Sequence, residues 1–200
     1  MLRHVSRVWV MCLVGFAVAA CGASWQVEEL PFTLPVPDGW RTETIPFPLE
    51  FAPELPYVGL EELRFAPGMF EEESEEFWTY VFVWWVQADA PTELDVLARH
   101  LEDYYRGLAV AVAESRDSEV GDSAFSVSLL AGNGNGFTGT AETLDAFVTQ
   151  EQVHLNLRGD TLDCLAQDRR MFFFALSPQP EEHPVWEQLA AIRDGFRCSS

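Results

Sequence analysis

The strongest hydrophobic signal in the chain is an unbroken run of aromatic and β-branched residues, FWTYVFVWWVQ, at positions 77–87. Successive side chains of a β-strand point to opposite faces, and here both alternating sets are apolar. A strand of this kind is buried on both faces, so it lies inside a sheet and not at an edge. The run therefore predicts a central strand at residues 80–86.

A helical pattern follows this strand in the segment TELDVLARHLEDYYRGL. Thr92 is the predicted N-cap, because Asp95 stands three positions later as in a capping box, and Gly107 is the predicted helix end. The helix is thus expected at residues 92–107. Its apolar positions recur at helical spacing and predict one buried stripe, formed by Leu94, Leu97, Leu101, Tyr104 and Leu108.

Shorter apolar segments predict the remaining elements. Further strands are expected in PFTLPVPDGW and at residues 60–65, 123–130, 137–147, 152–158 and 169–176. The segment AGNGNG predicts a hairpin turn, because strand patterns flank it and no helix follows that could bind phosphate. Pro184 starts a final predicted helix, VWEQLAAIRDGF. The expected fold class is α/β, with an antiparallel sheet of about six or seven strands covered by a central helix and a C-terminal helix.

The N-terminus has the pattern of an export signal. Arg3 and Arg7 precede the apolar run VWVMCLVGFAVAA, which is shorter than a typical transmembrane helix. The run leads into VAAC at positions 18–21, which resembles the lipobox of bacterial lipoproteins. This resemblance implies that Cys21 is lipidated and becomes the mature N-terminus in the cell envelope. An ordinary signal peptide cleaved elsewhere is the alternative.

The same resemblance divides the chain. It implies a lipoprotein signal peptide at residues 1–20 and a tether at residues 21–30, which leaves one globular domain at residues 31–200. The expected partner is the membrane, which the domain reaches through the N-terminal lipid.

The residue after the cysteine indicates which membrane this is. In lipoproteins an Asp at that position can retain the product at the inner membrane, and Gly22 stands there instead. In a cell with two membranes the outer membrane is therefore expected, with the domain facing the periplasm.

A second resemblance concerns the two ends of the globular domain. The segment PFTLPVPDGW runs into a Pro-x-Gly-Trp turn, and the last predicted helix leads to Gly195-Phe196-Arg197. Both features are similar to those of PsbP-like domains, which implies an α/β sandwich. Many members of that fold have no known catalytic site, so the resemblance implies no particular activity.

Composition narrows the classes of function. The chain has 32 acidic residues against 12 basic ones, a net charge of −20, which makes nucleic acid a poor partner. Every basic residue is arginine, which excludes a lysine Schiff base, a Walker lysine and a Ser-Lys dyad. The densest acidic run, at residues 71–76, lacks the Asp and Gly alternation of a calcium loop and predicts a solvated loop. Neither a metal nor a cofactor is predicted.

Four residues are possible binding residues. His154 lies on the predicted strand at residues 152–158, and alternation places Asn156 and Arg158 on the same outward face. Phe70 lies in a long, proline-rich and aromatic loop that the covered sheet does not need for its completion. No catalytic residue is assigned to the chain.

Three further features have a structural interpretation. His100 lies on the predicted helix beside a buried position and is expected to face solvent. His183 precedes Pro184 and is expected to cap the last helix. The triplet Arg158-Gly159-Asp160 is interpreted as a tight turn.

Cys164 and Cys198 remain once Cys12 is lost with the signal peptide and Cys21 is lipidated. Two remaining cysteines in an exported chain predict one disulfide. Two free thiols, buried as small apolar groups, are the alternative.

The leading functional hypothesis is a lipid-anchored envelope protein, a non-enzymatic module that binds an envelope protein or a small ligand. The alternative is a small, hydrolase-like envelope enzyme with His154 in its site, and a structural lipoprotein without a ligand is a third hypothesis. A deep pocket that joins His154 to a carboxylate or nucleophile would favour the enzyme. An apolar groove or patch would favour the binding module.

The lipobox resemblance generates a direct prediction. Protein extracted from membranes should begin at Cys21, because the lipobox resemblance places cleavage between Ala20 and Cys21. Cys21 should carry lipid with two or more acyl chains, which are enough for stable anchoring. Intact-protein mass spectrometry measures this, and Cys21→Ser should release the chain from the membrane or stall its processing. A mature chain that begins elsewhere, with an unmodified Cys21, would refute the prediction.

Overall fold

The computed structural model describes residues 30–199, and the chain from Pro31 onward forms one unit. The predicted signal peptide, Cys21 and the tether up to residue 29 lie outside the described residues. None of the helices within residues 30–199 is long and apolar enough to cross a membrane. The division into signal peptide, tether and domain stays a prediction.

Two α-helices and nine strands follow one another along the described residues. The strands are β1 (Phe32–Thr33), β2 (Arg41–Pro46), β3 (Gly59–Phe65), β4 (Tyr80–Gln87), β5 (Ser126–Ala131), β6 (Gly136–Leu144), β7 (Gln152–Cys164), β8 (Arg169–Ser177) and β9 (Arg197–Cys198). The helices are α1 (Leu94–Ser115), between β4 and β5, and α2 (Val185–Asp194), between β8 and β9.

Seven of the strands form one antiparallel sheet in the order β2-β3-β4-β8-β7-β6-β5, while β1 pairs with β9 in a two-stranded ribbon. The predicted fold class, an α/β arrangement with an antiparallel sheet, is confirmed. The predicted central strand, β4, lies in the interior of the sheet beside β8, and most residues of both strands are buried. The segment AGNGNG joins β5 to β6 as the predicted hairpin.

Helix α1 covers one face of the sheet, which we call the inner face. On this face the rings of Phe82 and Phe174 stack with centroids 4.6 Å apart, and Tyr104 of α1 stacks on Phe82 at 5.4 Å. Burial of each such side chain contributes about 1.5–3 kcal/mol. The aromatic core between sheet and helix is therefore a main source of stability.

Helix α2 and the N-terminal segment cover the opposite face, which we call the outer face. The Phe32 ring lies 5.6 Å from Trp85 of β4, and Arg64 of β3 donates hydrogen bonds to the carbonyl oxygens of Leu34 and Pro35, each at 3.1 Å. The apolar residues of α2, Val185, Leu189 and Ile192, are buried, as is Phe196 just after the helix. Both faces of the central strands are thus covered.

Helix α1 begins and ends later than its pattern predicted. Its N-cap position is Glu93 and not Thr92, and the helix continues through Gly107 to Ser115. A Cβ atom at residue 107 would collide with the carbonyl oxygen of Phe51, so glycine lets the loop between β2 and β3 cross the helix closely. The prediction that Gly107 ends the helix is wrong, because the residue serves packing and not capping.

The triplet Arg158-Gly159-Asp160 lies inside β7, so the tight turn predicted there is also wrong. Gly159 stands opposite Phe137 of β6 and Phe174 of β8. A Cβ atom at residue 159 would collide with the ring of Phe137. The glycine therefore makes room for an aromatic ring within the sheet and does not reverse the chain.

Cys164, at the end of β7, and Cys198, in β9, are a disulfide-bonded pair with Cα atoms 5.7 Å apart. This distance lies within the range that a disulfide requires. The two cysteines are 34 residues apart in the sequence. The bond therefore ties the sheet to the β1–β9 ribbon at the C-terminus.

Loss of this bond should lower the free energy of unfolding by about 4 kcal/mol, because the unfolded chain gains the entropy of an open loop. Urea unfolding of the wild type and of the double variant Cys164→Ser, Cys198→Ser measures the difference. In reducing buffer the two proteins should be nearly equal in stability. Two alkylatable thiols in protein taken from the envelope would contradict the prediction.

Candidate functional site

An open pocket of about 630 Å³ lies between the inner face of the sheet and helix α1. Strands β2, β3 and β4 form its floor, while α1 and the loops β2–β3, β3–β4 and β6–β7 form its sides. Half of its lining residues are aromatic: Phe51, Phe65, Phe70, Trp78, Tyr80, Tyr104 and Phe147. Ligand pockets of natural proteins span roughly 300–1,000 Å³ and are mostly apolar, so both volume and lining fit a ligand site.

Strand alternation makes the floor of the pocket apolar. The inward positions are Ile45 of β2, Leu63 and Phe65 of β3, and Tyr80 of β4, which face the same side because Phe65 pairs with Tyr80. Strand β2 is an edge strand, and most of its side chains are exposed. The pocket consequently opens at the edge of the sheet.

The β3–β4 loop supplies one side of the pocket and holds a strained residue. Trp78 is 2 % exposed, and its backbone φ is +50°. Its backbone N–H donates a hydrogen bond to the Met69 carbonyl oxygen at 3.1 Å. Positive φ is unusual for a bulky residue and costs about 1–3 kcal/mol. Packing around Trp78 therefore holds this wall in a conformation that its backbone does not favour.

The β6–β7 loop places Phe147 at the pocket through a buried carboxylate. Asp145 is fully buried and accepts hydrogen bonds from the N–H groups of Phe147, Val148 and Thr149 at 3.0, 3.1 and 2.7 Å. The ring of Phe147 then lies 5.4 Å from that of Phe70. A carboxylate that satisfies three amides fixes this turn, so the wall is preformed.

Two charged residues of β2, Arg41 and Glu43, line the pocket and are exposed at its mouth. The guanidinium carbon of Arg41 lies 4.9 Å from the centre of the Phe70 ring, a cation–π arrangement. Phe70, one of the possible binding residues, therefore belongs to the mouth of the pocket.

A buried acid, Glu61, lies behind the pocket wall next to Tyr104. Trp84 donates a hydrogen bond of 3.1 Å to one carboxyl oxygen, and the other oxygen has no hydrogen-bond partner within residues 30–199. Burial raises the pKa of Glu61 to about 8, and the neighbouring Trp84 and Tyr104 side chains offset this rise only in part. The neutral form of this acid is therefore favoured at pH 7.

Sequence reasoning did not single out Glu61, Trp78, Asp145 or Arg41. For Glu61 a signal exists: in GLEELRF it occupies the same strand face as the apolar Leu63 and Phe65. An acid at an inward position of a strand is a buried polar group that needs a special environment. The other three depend on loops and edges, which periodicity does not locate.

The lining of the pocket is mainly apolar and aromatic. Its lining residues include no serine, cysteine or histidine, and its only hydroxyl groups are those of Thr42, Tyr80 and Tyr104. Within residues 30–199 no group of three or more His, Cys, Asp or Glu side chains could hold a metal ion. The arrangement can enclose an apolar body and present polar groups to it at the mouth.

The other three possible binding residues lie together on the outer face of β7, away from Phe70. His154 contacts Glu142 at 2.5 Å, Asn156 donates to the Gln179 carbonyl at 3.0 Å, and Arg158 lies 4.6 Å from the Trp186 ring. Alternation had placed these three on one face, and they do share it. The structure does not bring them to the aromatic pocket.

The surroundings of His154 lack the order of a catalytic triad. Across neighbouring strands, Ser126 stands opposite Glu142, and Glu142 stands opposite His154. A triad needs the histidine between the nucleophile and the acid, whereas here the acid lies in the middle. His154 is also exposed to solvent, so the pair is a surface contact.

The remaining histidines within the described chain are structural. His100 is half-buried and hydrogen-bonded to the Tyr57 hydroxyl at 2.7 Å, and burial lowers its pKa, so the prediction that it faces solvent is wrong. The reason is that the β2–β3 loop packs on α1. His183 accepts a hydrogen bond of 3.2 Å from the N–H of Val185, the first residue of α2. The N-cap position is Pro184 and not His183, so the prediction that His183 caps this helix is wrong by one position.

The chain was compared with protein families, curated proteins and solved structures. No family model matches the chain, and no curated protein matches it. Among solved structures the chain is similar to LpqN, described as involved in cell envelope biogenesis of Mycobacterium tuberculosis, at 9 % identity over 84 % of this chain and 83 % of that one, with a TM-score of 0.32. A likeness at this level carries no conclusion on fold or function. The PsbP-like resemblance and the lipobox stay predictions.

Glu61 should make stability depend on pH. Its pKa rises from an ordinary 4.5 to about 8 on folding, so between these values the folded protein binds more protons than the unfolded chain. The free energy of unfolding should therefore fall as pH rises through this window, by up to about 1.4 kcal/mol per pH unit. Glu61→Gln keeps the acceptor for Trp84 but cannot ionise, so it should lack this contribution.

Urea unfolding of the wild type, Glu61→Gln and the exposed control Glu54→Gln at several pH values from acid to alkaline measures the effect. Glu54→Gln should follow the wild type, while Glu61→Gln should gain stability relative to it as the pH rises. Parallel pH profiles for the wild type and Glu61→Gln would contradict the assignment of a neutral buried acid.

Proposed function

We propose that this protein is a lipid-anchored cell-envelope module that binds a ligand with an apolar body in the aromatic pocket beside α1, without transforming it. The observation that carries the proposal is the pocket itself: about 630 Å³ of open space with seven aromatic side chains in its walls. Apolar surface left open to water is costly, and in monomeric proteins such patches mark binding sites.

Two costly features at the pocket support this proposal. Trp78 has a positive φ, and Glu61 is a buried acid with one unpaired oxygen. Strained backbone conformations and acids with a shifted pKa are more frequent at functional sites than elsewhere. At such sites they persist, although they lower the stability of the fold, because function requires them. Both features lie in or directly behind the pocket wall.

The proposed location depends on the sequence. The charged start, the apolar run and VAAC at positions 18–21 support a lipid on Cys21, with a short tether before the domain. A protein anchored in this way holds its pocket close to a membrane surface. The outer membrane, facing the periplasm, is the proposed site in a cell with two membranes.

The alternative, a small envelope enzyme, depends on His154 and its contact with Glu142. Against it stand the exposure of His154 and the position of Glu142 between His154 and Ser126. The aromatic pocket is on the other side of the sheet. Binding therefore accounts for more of the structure than hydrolysis does.

The pocket proposal predicts that Phe70→Ser weakens binding of the uncharged dye N-phenylnaphthylamine about tenfold, because the ring is lost from the mouth of the pocket. Dye fluorescence in titrations measures the affinity, and circular dichroism confirms folding. His154→Ala should bind the dye as the wild type does. Leu130→Ser, which removes an exposed apolar side chain elsewhere on the surface, serves as the control for non-specific dye binding.

Equal dye affinity for the wild type and Phe70→Ser, or weaker binding by Leu130→Ser, would refute the pocket as the site. Complementation in cells distinguishes the binding module from the enzyme with His154 in its site. If His154→Ala abolishes function in a folded protein while Phe70→Ser does not, the enzyme takes the place of the binding module.

A further inference from the structure

Arg41 differs from the other arginines in the described part of the chain. Each of the others donates a side-chain hydrogen bond to a carboxylate or a carbonyl oxygen. Within residues 30–199 the Arg41 guanidinium has no such acceptor, although acidic residues far outnumber basic ones. It is held instead over the Phe70 ring, 4.9 Å from the ring centre. A guanidinium with five donors is thus available at the mouth of an apolar pocket.

The position of Arg41 suits an anion at the end of an apolar body. The ring of Phe70 covers one surface of the guanidinium and leaves its edge, which carries the N–H groups, for a planar or tetrahedral anion. Below it the pocket is walled by apolar side chains such as Ile45, Leu63 and Met69. Polar recognition at the mouth and apolar enclosure below it define an amphiphile.

Two acidic residues near the pocket affect whether a ligand there can carry a negative charge. Burial raises the pKa of Glu61, behind the wall, to about 8, which favours its neutral form at pH 7 and weakens its repulsion of an anion. Glu43 is a charged, exposed residue of β2 on the same strand face as Arg41. An exposed carboxylate is well hydrated and is ordinary in this acidic protein, whereas an arginine without an acceptor is exceptional in it. The overall negative charge is screened beyond about 8 Å at physiological ionic strength.

We propose that the pocket ligand is an anionic amphiphile, an apolar chain or ring system with one carboxylate or phosphate head that Arg41 binds at the mouth. This inference rests on the proposed function, because it assumes that the aromatic pocket is the binding site. It adds the chemical class of the ligand and assigns Arg41 as the residue that selects it.

The test compares amphiphiles that differ only in the head: dodecanoate, dodecyl phosphate, dodecanol and dodecylamine. Each competes with N-phenylnaphthylamine for the wild-type protein at pH 7, below the concentration at which it forms micelles. Dodecanoate and dodecyl phosphate should displace the dye at about fivefold lower concentration than dodecanol, as expected for one partly exposed ion pair. High salt should reduce this preference.

Variants assign the preference to Arg41. Arg41→Gln should lose the fivefold preference, so that dodecanoate and dodecanol displace the dye at similar concentrations, and circular dichroism checks that the variant is folded. The matched control is Arg99→Gln, because Arg99 is an exposed arginine of α1 paired with Asp95, and it should keep the preference. Glu43→Gln should strengthen dodecanoate binding and supplies a second test that leaves Arg41 in place.

The outcomes separate this inference from the pocket itself. If the wild type binds dodecanol as tightly as dodecanoate, or prefers dodecylamine, or if Arg41→Gln keeps the preference for anions, the inference is overturned while the pocket remains a binding site. If neither the dye nor dodecanol binds, the proposed function fails and the inference fails with it.

Discussion

The structure depends on one constraint: its two central strands are apolar on both faces, so both faces of the sheet need a cover. Helix α1 supplies the inner cover with Leu97, Leu101 and Tyr104, and the Tyr104 ring stacks on Phe82 of β4. Helix α2 and the N-terminal segment supply the outer cover. The inner cover is incomplete toward the β2 edge, where loops replace the helix and leave the aromatic pocket open.

The outer cover has a polar anchor of its own. Arg64 is 2 % exposed, forms an ion pair with Glu62 and donates hydrogen bonds to the carbonyls of Leu34 and Pro35. A buried ion pair is tolerable only when additional hydrogen bonds satisfy its groups, and these carbonyls supply them. The segment that enters the domain is thereby fixed to β3, and the Cys164–Cys198 pair fixes the C-terminal end.

The pocket combines features that oppose stability with features that hold it rigid. The open aromatic walls, the backbone of Trp78 and the unpaired oxygen of Glu61 each cost free energy. The hydrogen bonds of Asp145 and the packing of Phe70 against Phe65 and Phe147 hold the walls in place. A preformed pocket loses little conformational entropy on binding, which favours affinity for a ligand with few polar contacts.

The sequence by itself determined the α/β class, the interior position of β4 and the shared face of His154, Asn156 and Arg158, because each follows from side-chain periodicity. It also determined the hairpin after β5, because glycine and asparagine there stand between two strand patterns. The predictions for Gly107 and Gly159 were wrong, because each glycine makes room for a group that is distant in the sequence. Gly107 accommodates the Phe51 carbonyl oxygen, and Gly159 accommodates the Phe137 ring. Only the tertiary structure decided where the pocket lies. Its walls come from β2, β3, β4, α1 and three loops, and no local pattern records which side chains of separate segments meet in space.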